Sequence, residues 1–184
     1  SINKVFTEIY DAWNSDTFFS LTKAFELPTN NQIKTFSRGM RMKAALTIAL
    51  SHDAKLLILD EATAGMDVSG REHVLEILED YLGDDRAILI SSHISEDIEQ
   101  LATQLVFMRD GRIILKESKE VLLSQYGIID QPVEHFNISN EYLIATRRRN
   151  DRQISLVNNY QKVPDAQPLK TIDDATKIIM RGEV

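Results

Sequence analysis

Lys55-Leu56-Leu57-Ile58-Leu59-Asp60-Glu61 is the stretch that decides the fold. Four consecutive apolar residues ending in acid predict a strand buried on both faces, as in a parallel sheet. Downstream, Ser69-Gly70-Arg71-Glu72 has the S-x-x-E spacing of a capping box. It opens a helix with Val74, Leu75, Ile77, Leu78, Tyr81 and Leu82 inward and Gly83 at its end. Ala87-Ile88-Leu89-Ile90-Ser91-Ser92 is a second buried strand. Strand, helix and strand within about 38 residues make a βαβ unit, for which a right-handed crossover is expected. The fold class is α/β.

Upstream, residues 3–13 and 16–26 read as two short helices, the second capped by Asp16, with Phe18, Leu21, Thr22 and Phe25 on one face and Pro28 as its stop. A polar stretch from Thr29 to Thr35 leads into Phe36-Ser37-Arg38-Gly39. Ser37 can cap a helix that runs to about Ser51, with Met42, Ala45, Leu46 and Ala49 on one face. Beyond the βαβ unit, Ser95 starts a short helix with Glu96, Asp97 and Glu99 in its first turn, where the helix dipole favours anions. Leu105–Met108 and Arg112–Leu115 flank Asp110-Gly111, a two-residue hairpin signal. After Lys116 the sequence predicts a helix near Lys119–Tyr126, strands near Glu141–Arg147 and Arg152–Val157, and a last helix from Thr171. The expected organisation is a helical region (1–52), a sheet core (53–116) and a small α+β extension (117–184).

Composition narrows the function classes. The 184 residues are 43% hydrophobic and 27% charged, with no cysteine. That removes thiol catalysis, zinc–thiolate sites and disulfides together, and fits a reducing compartment. No apolar run approaches the ~18 residues of a membrane span, and no basic-then-apolar leader opens the chain. The chain begins with Ser1 rather than methionine, so further sequence is expected upstream. Residues 1–115 hold 11 basic against 18 acidic side chains, net −7, and residues 116–184 hold 10 of each. An acidic main body argues against nucleic acid as a partner, because phosphate-backbone binding rests on clustered Lys and Arg. The run Arg147-Arg148-Arg149 reads as a solvated hairpin face, and Glu134-His135 as a surface pair.

Three places could carry chemistry. Asp60 and Glu61 lie at the carboxyl end of the first strand, where ligands of open parallel sheets bind. Successive side chains point to opposite sides, so one carboxylate can serve a metal while the other reaches a water. Two solvated acids where a strand leaves the core is the simpler alternative. His93 ends the second strand in the same way and would lie beside those carboxylates if the strands are neighbours. A lone histidine is more often structural, but two strands ending in D-E and S-H inside one βαβ unit shift the balance toward a site. Ser37-Arg38-Gly39-Met40 opens a helix, where a hydroxyl, backbone N–H groups and the dipole together make an anion site, unless Ser37 is a plain cap. Gly65-Met66-Asp67-Val68-Ser69-Gly70-Arg71-Glu72 has the spacing of a phosphate-cradling G-x-x-x-x-G-K-[ST] loop, but it lacks the lysine and puts a carboxylate where the Mg²⁺-binding hydroxyl belongs. It is not a P-loop, and no other glycine pair offers one.

Taken in order, these pieces resemble the second half of an ABC-transporter ATPase. The matching segments are Phe36-Ser37-Arg38-Gly39-Met40 (signature), Leu56-Leu57-Ile58-Leu59-Asp60-Glu61 (Walker B and catalytic glutamate), Ala64-Gly65-Met66-Asp67 (D-loop) and Ser91-Ser92-His93 (H-loop). The S-R-G-M form of the signature is similar to that of bacterial exporter ATPases paired with ABC-2-type permeases. Tyr126-Gly127-Ile128-Ile129 and the ending near Arg181-Gly182-Glu183 extend the likeness with less specific support. Ala62 stands where the family usually has proline, and no Walker A or Q-loop precedes Phe36.

The resemblance implies a partial P-loop NTPase fold and, for the complete subunit, a head-to-tail dimer clamping two Mg·ATP. It implies Mg²⁺ held by Asp60 through water, Glu61 polarising the attacking water, and His93 on the γ-phosphate. Ser37 and Gly39, with Arg38 and Met40 in the signature, would meet the ATP of the opposite subunit, and Asp67 would cross the interface. The cofactors implied are ATP and Mg²⁺. The partners implied are a membrane permease of ABC-2 type, faced by residues 1–50, and a second ATPase subunit. The location implied is cytoplasmic, on the inner face of the membrane. These 184 residues alone are expected neither to bind ATP tightly nor to hydrolyse it. Two alternatives are a non-enzymatic partner or regulator without its own P-loop and a DNA-repair-type ABC ATPase. The latter predicts a heptad coiled coil before the signature and a basic surface, and the sequence contains neither.

Overall fold

The two apolar runs are strands β1 (Leu56–Asp60) and β2 (Ala87–Ser91), paired parallel with Asp60 opposite Ser91. The computed structural model describes residues 2–183. Between the strands runs helix α4 (Val68–Tyr81). Its buried side chains Val74, Leu75, Leu78 and Tyr81 recur at helical spacing and cover Leu57. Ile77 is half-buried, while Leu82, expected inward, is exposed because the helix has ended and the chain turns out. Helix α1 (Ile2–Ile9), α2 (Ser15–Ala24) and α3 (Arg38–Ala49) precede the sheet. Phe25, Leu46 and Leu50 join the α4 residues in one apolar cluster, which α5 (Ser95–Leu101) completes through Leu101. Ala45, expected on the inner face of α3, is exposed; Leu46 and Thr47 take the buried positions.

The expectation that the first strand is covered on both faces is corrected. Leu57 is 4% exposed, whereas its neighbours Leu56 and Ile58 are 54% and 71% exposed, as is Leu89 of β2 at 59%. Alternation puts Leu57 and half-buried Leu59 on the helix side and the others on a face that no described residue covers. The consequence is measurable by urea denaturation. Leu57→Ala should cost about 2–5 kcal/mol through transfer and cavity terms. Ile58→Ala, one residue on, should cost less than about 1 kcal/mol.

Two helix starts also differ from the sequence reading. Asn14, not Asp16, caps α2 by accepting the Thr17 N–H at 2.9 Å. Asp67, not Ser69, caps α4 by accepting the Gly70 N–H at 2.9 Å. In both cases an acceptor two residues earlier satisfies the orphan first-turn donor and draws the helix start back. Ser37 caps α3 as expected, accepting the Met40 N–H at 3.2 Å.

A second compact unit begins at Ala102. Its hairpin, β3 (Gln104–Arg109) and β4 (Arg112–Ser118), turns at Asp110 and Gly111, both with positive φ, and carries a bulge at Phe107/Met108. Helix α6 (Lys119–Gln125) leads into β5 (Gly127–Pro132), a strand the sequence reading did not place. It lies inside an antiparallel sheet of order β6-β7-β5-β8, with β6 (Leu143–Arg149), β7 (Arg152–Val157) and β8 (Gln167–Pro168). Helix α7 (Ile172–Arg181) is capped by Thr171 and buries Ile172, Ala175, Ile178 and Ile179. Arg109 fixes its far end by donating to the carbonyls of Ile179, at 2.6 Å, and Gly182. Compactness thus places the hairpin with residues 102–184, whereas the sequence division keeps it with residues 53–116.

Tyr126 between α6 and β5 gives this unit an alkaline signature. Burial, reinforced by the Glu117 carboxylate beside it at 3.3 Å, pushes its phenol up from 10.0 to about 12. An unfolded chain loses that proton near pH 10 while the folded chain keeps it, so stability is intact below pH 10 and falls as pH rises toward 12. The loss should be about 2–3 kcal/mol from this group. Urea midpoints at pH 9 and pH 11.5 should differ less in Tyr126→Phe than in the parent chain.

Candidate functional site

The carboxyl ends of β1 and β2 lie side by side, and the chain's polar side chains bind across them. Ser91 Oγ donates to Asp60 Oδ1 at the last paired position of the sheet. The Glu61 N–H is shared between the Ser91 carbonyl at 3.0 Å and Ser91 Oγ at 3.3 Å. Glu61 then takes φ +52°, a left-handed backbone that costs a residue with a Cβ about 1–2 kcal/mol. The turn is closed by Ala64 N–H to the Glu61 carbonyl at 3.0 Å. This reversal separates the two neighbouring carboxylates. Asp60 stays on the sheet end beside Ser91, and Glu61 contacts His93 Nδ1 through Oε2. Strand register thus brings together Asp60, Glu61 and His93. Asp60 and His93 are exposed and Glu61 is half-buried.

Asp60 has one carboxylate oxygen taken by Ser91, leaving the other for a cation. Among the described residues no group of three or more His, Asp or Glu gathers as a metal cage. A single exposed carboxylate fits Mg²⁺, which keeps several waters and leans on one or two carboxylates plus phosphate oxygens.

The segment Ser37–Met40 forms the first turn of α3. Ser37 Oγ takes the Met40 N–H, leaving its own hydroxyl proton to donate at the helix's positive end. Gly39 faces the loop after β1: a Cβ there would lie 3.6 Å from Met66 Cγ and 3.8 Å from the Gly65 carbonyl. Gly65 has φ +80°, and the Arg38 side chain lies over it, so a Cβ at Gly65 would sit 3.2 Å from Arg38 Cδ. Asp67 is exposed and is occupied as the cap of α4. Its carboxylate therefore fills the helix start that the Gly65–Gly70 spacing would otherwise offer to a phosphate.

The sequence reading missed Asp97. Read only as one of the acids in a helix's first turn, it is fully buried at 0% exposure. Its Oδ2 accepts from Thr63 and from Ser92 Oγ, the latter at 3.1 Å, and Arg71 Nε lies 3.5 Å from Oδ1. No local pattern in the sequence announced it. The burial comes from partners far away in sequence.

Comparison with known proteins bears on the family and the fold. The family model for "ABC transporter" matches residues 7–64, through the signature segment, Asp60 and Glu61. The lantibiotic transport ATP-binding protein SrtF of Streptococcus pyogenes is 37% identical over 116 residues, covering 63% of this chain and 47% of that protein. A putative cobalt transport ATP-binding protein shares the fold at TM-score 0.56 and 19% identity, over 79% of this chain and 53% of that one. A dimeric ATP-binding cassette bound to ADP and Pi does so at TM-score 0.51 and 18% identity, over 56% of this chain and 46% of that one. The chain spans about half the length of the relatives it matches. With matching segments in this order, the chain is similar over part of its length to ABC transporter ATP-binding proteins, and its fold is that of their ATP-binding subunits.

Proposed function

We propose that the chain supplies the signature, Walker B, D-loop and H-loop half of an ATPase subunit that drives export through a membrane permease of ABC-2 type. The observation that carries this is the contact of Glu61 with His93 beside Asp60 at the ends of two parallel strands. In this reading Glu61 accepts a proton from the attacking water, and His93, held against it, orients that carboxylate and reaches the γ-phosphate. Asp60 is the residue that would hold Mg²⁺, through the carboxylate oxygen that Ser91 leaves open. Bound Mg²⁺ supplies charge neutralisation to the phosphates. Ser37 and the first-turn N–H groups around Gly39 face the ATP of a second subunit, with Arg38 and Met40 setting the shape of that turn. Asp67 lies at the same interface, so a helix N-terminus is withheld until the dimer closes.

Among the described residues no helix is long and apolar enough to cross a membrane. Residues 1–50 face the permease in this reading, and the subunit works on the cytoplasmic side. By themselves the 184 residues, which contain no G-x-x-x-x-G-K-[ST] run, turn over no ATP.

The test is ATP turnover by the subunit assembled with its permease in proteoliposomes. Asp60→Asn, which weakens a water-mediated metal contact, should lower Mg²⁺-dependent turnover about 10–100-fold. Turnover indifferent to both Asp60→Asn and Glu61→Gln would refute the assignment.

A further inference from the structure

We infer that Asp97 is a positioning residue that clamps together, from the buried side, the two loops that carry Glu61 and His93. The inference rests on the reading of those two residues as a working pair.

The two loops are short and independently strained or irregular. One leaves β1 through the left-handed Glu61 and continues through Thr63, Gly65 and Met66, turned by local bonds such as Met66 N–H to the Thr63 carbonyl at 3.2 Å. The other leaves β2 through Ser92 and His93. On their outer side the loops touch through the Glu61–His93 contact, where His93 is exposed and water competes. An exposed pair of this kind contributes little by itself to holding geometry. On the inner side one carboxylate reaches both loops: Thr63 is two residues past Glu61, and Ser92 immediately precedes His93.

Ser92 is fixed twice, since its Oγ also accepts the Ile94 N–H at 3.0 Å while donating to Asp97. A third element, α4, contributes Arg71. A carboxylate at 0% exposure is costly to bury, and one that serves only stability could be replaced by an apolar side chain without loss. Hydroxyl donors on two different loops meeting on one buried oxygen are what fixing a relative position requires. They are short side chains with few rotamers, and an unmade bond there leaves a buried group unsatisfied. Asp97 touches no reacting atom in this account. It acts through the loops.

The experiment is solution NMR of the His93 ring in the full 184-residue chain, labelled at histidine, with His93→Gln identifying its signal among the four histidines. Glu61→Gln should displace that signal, since it alters the group the ring touches. Asp97→Asn should displace it as well, and so should Thr63→Val and Ser92→Ala, which each remove one arm of the clamp and decide the matter if Asp97→Asn does not fold. Asp97→Asn added to Glu61→Gln should produce no further displacement, because the contact it positions is already altered. Tyr81→Phe, which removes a hydrogen bond to the Ala54 carbonyl in the same unit but touches neither loop, should leave the ring signal in place. The clamp is overturned if Glu61→Gln moves the signal and the Asp97, Thr63 and Ser92 variants do not, or if Tyr81→Phe moves it equally. Should Glu61→Gln itself leave the signal untouched, the Glu61–His93 pairing is absent in solution, and the reading beneath the clamp fails with it.

Discussion

Gly127→Ala should cost the second unit about 3 kcal/mol or unfold it outright, although the change adds one methyl group. Gly127 opens β5 between two partners, opposite Val157 of β7 on one side and Pro168 of β8 on the other. A Cβ there would lie 2.4 Å from Tyr160 Cβ and 2.5 Å from the Gln167 carbonyl oxygen. Neither neighbour can swing away. One is the root of a side chain, and the other is backbone held beside the strand pairing, so relief requires moving β8 or the turn at Tyr160. Interiors packed near crystal density transmit such a shift rather than absorb it. Gly83→Ala is the matched control: it meets nothing within 4 Å and has an ordinary backbone, so the same chemical change should be neutral or stabilise by about 0.4–1 kcal/mol. Urea denaturation followed by far-UV circular dichroism separates the two. Fluorescence of the single tryptophan, Trp13, reports the first unit within the same titration. Equal midpoints for the two alanine variants would show that the β5 edge is looser than its contacts indicate.

Gly127 also marks where the sequence stops being legible. Its importance lies in contacts with residues 33 and 40 positions away, and nothing in Gly127-Ile128-Ile129-Asp130-Gln131-Pro132 announces that two strands will flank it. The elements that could be read were those whose signals are local: the capped start of α3, the Asp110-Gly111 hairpin, the apolar runs of β1 and β2, and α7 after Thr171. Caps were legible as a kind but not always as a position. Asn14 and Asp16, or Asp67 and Ser69, offer equivalent acceptors two residues apart, and tertiary packing chooses between them. The candidate site follows the same division. That Asp60-Glu61 and Ser92-His93 end two strands was legible from two apolar runs in one βαβ unit, and the parallel pairing of β1 with β2 makes those strands neighbours. The left-handed turn at Glu61 and the burial of Asp97 depend on partners 30 or more residues distant, such as Ser91 and Thr63, and have no local signature.

Glu61→Asn should move stability and activity in opposite directions. At φ +52° a glutamate is held in backbone that asparagine tolerates better, so the substitution should raise unfolding free energy by up to about 1 kcal/mol. The left-handed turn ends the strand's alternation at Glu61, whose side chain there meets His93 while Asp60 stays beside Ser91. Strain retained at a residue whose side chain meets a histidine is therefore consistent with selection for geometry rather than stability. Asparagine is one carbon shorter and carries no charge, so it can neither reach His93 as glutamate does nor accept a proton from water. On the proposed role of Glu61, ATP turnover by the assembled subunit should fall about 10²–10⁴-fold, the contribution of a positioned general base. Glu61→Gln separates the two effects, since it keeps length and strain while removing charge. It should match Glu61→Asn in lost turnover and match the parent in stability. Thermal unfolding and steady-state phosphate release on the three proteins make the comparison. A Glu61→Asn protein that is both less stable and fully active would refute the functional role and the strain assigned to this turn together.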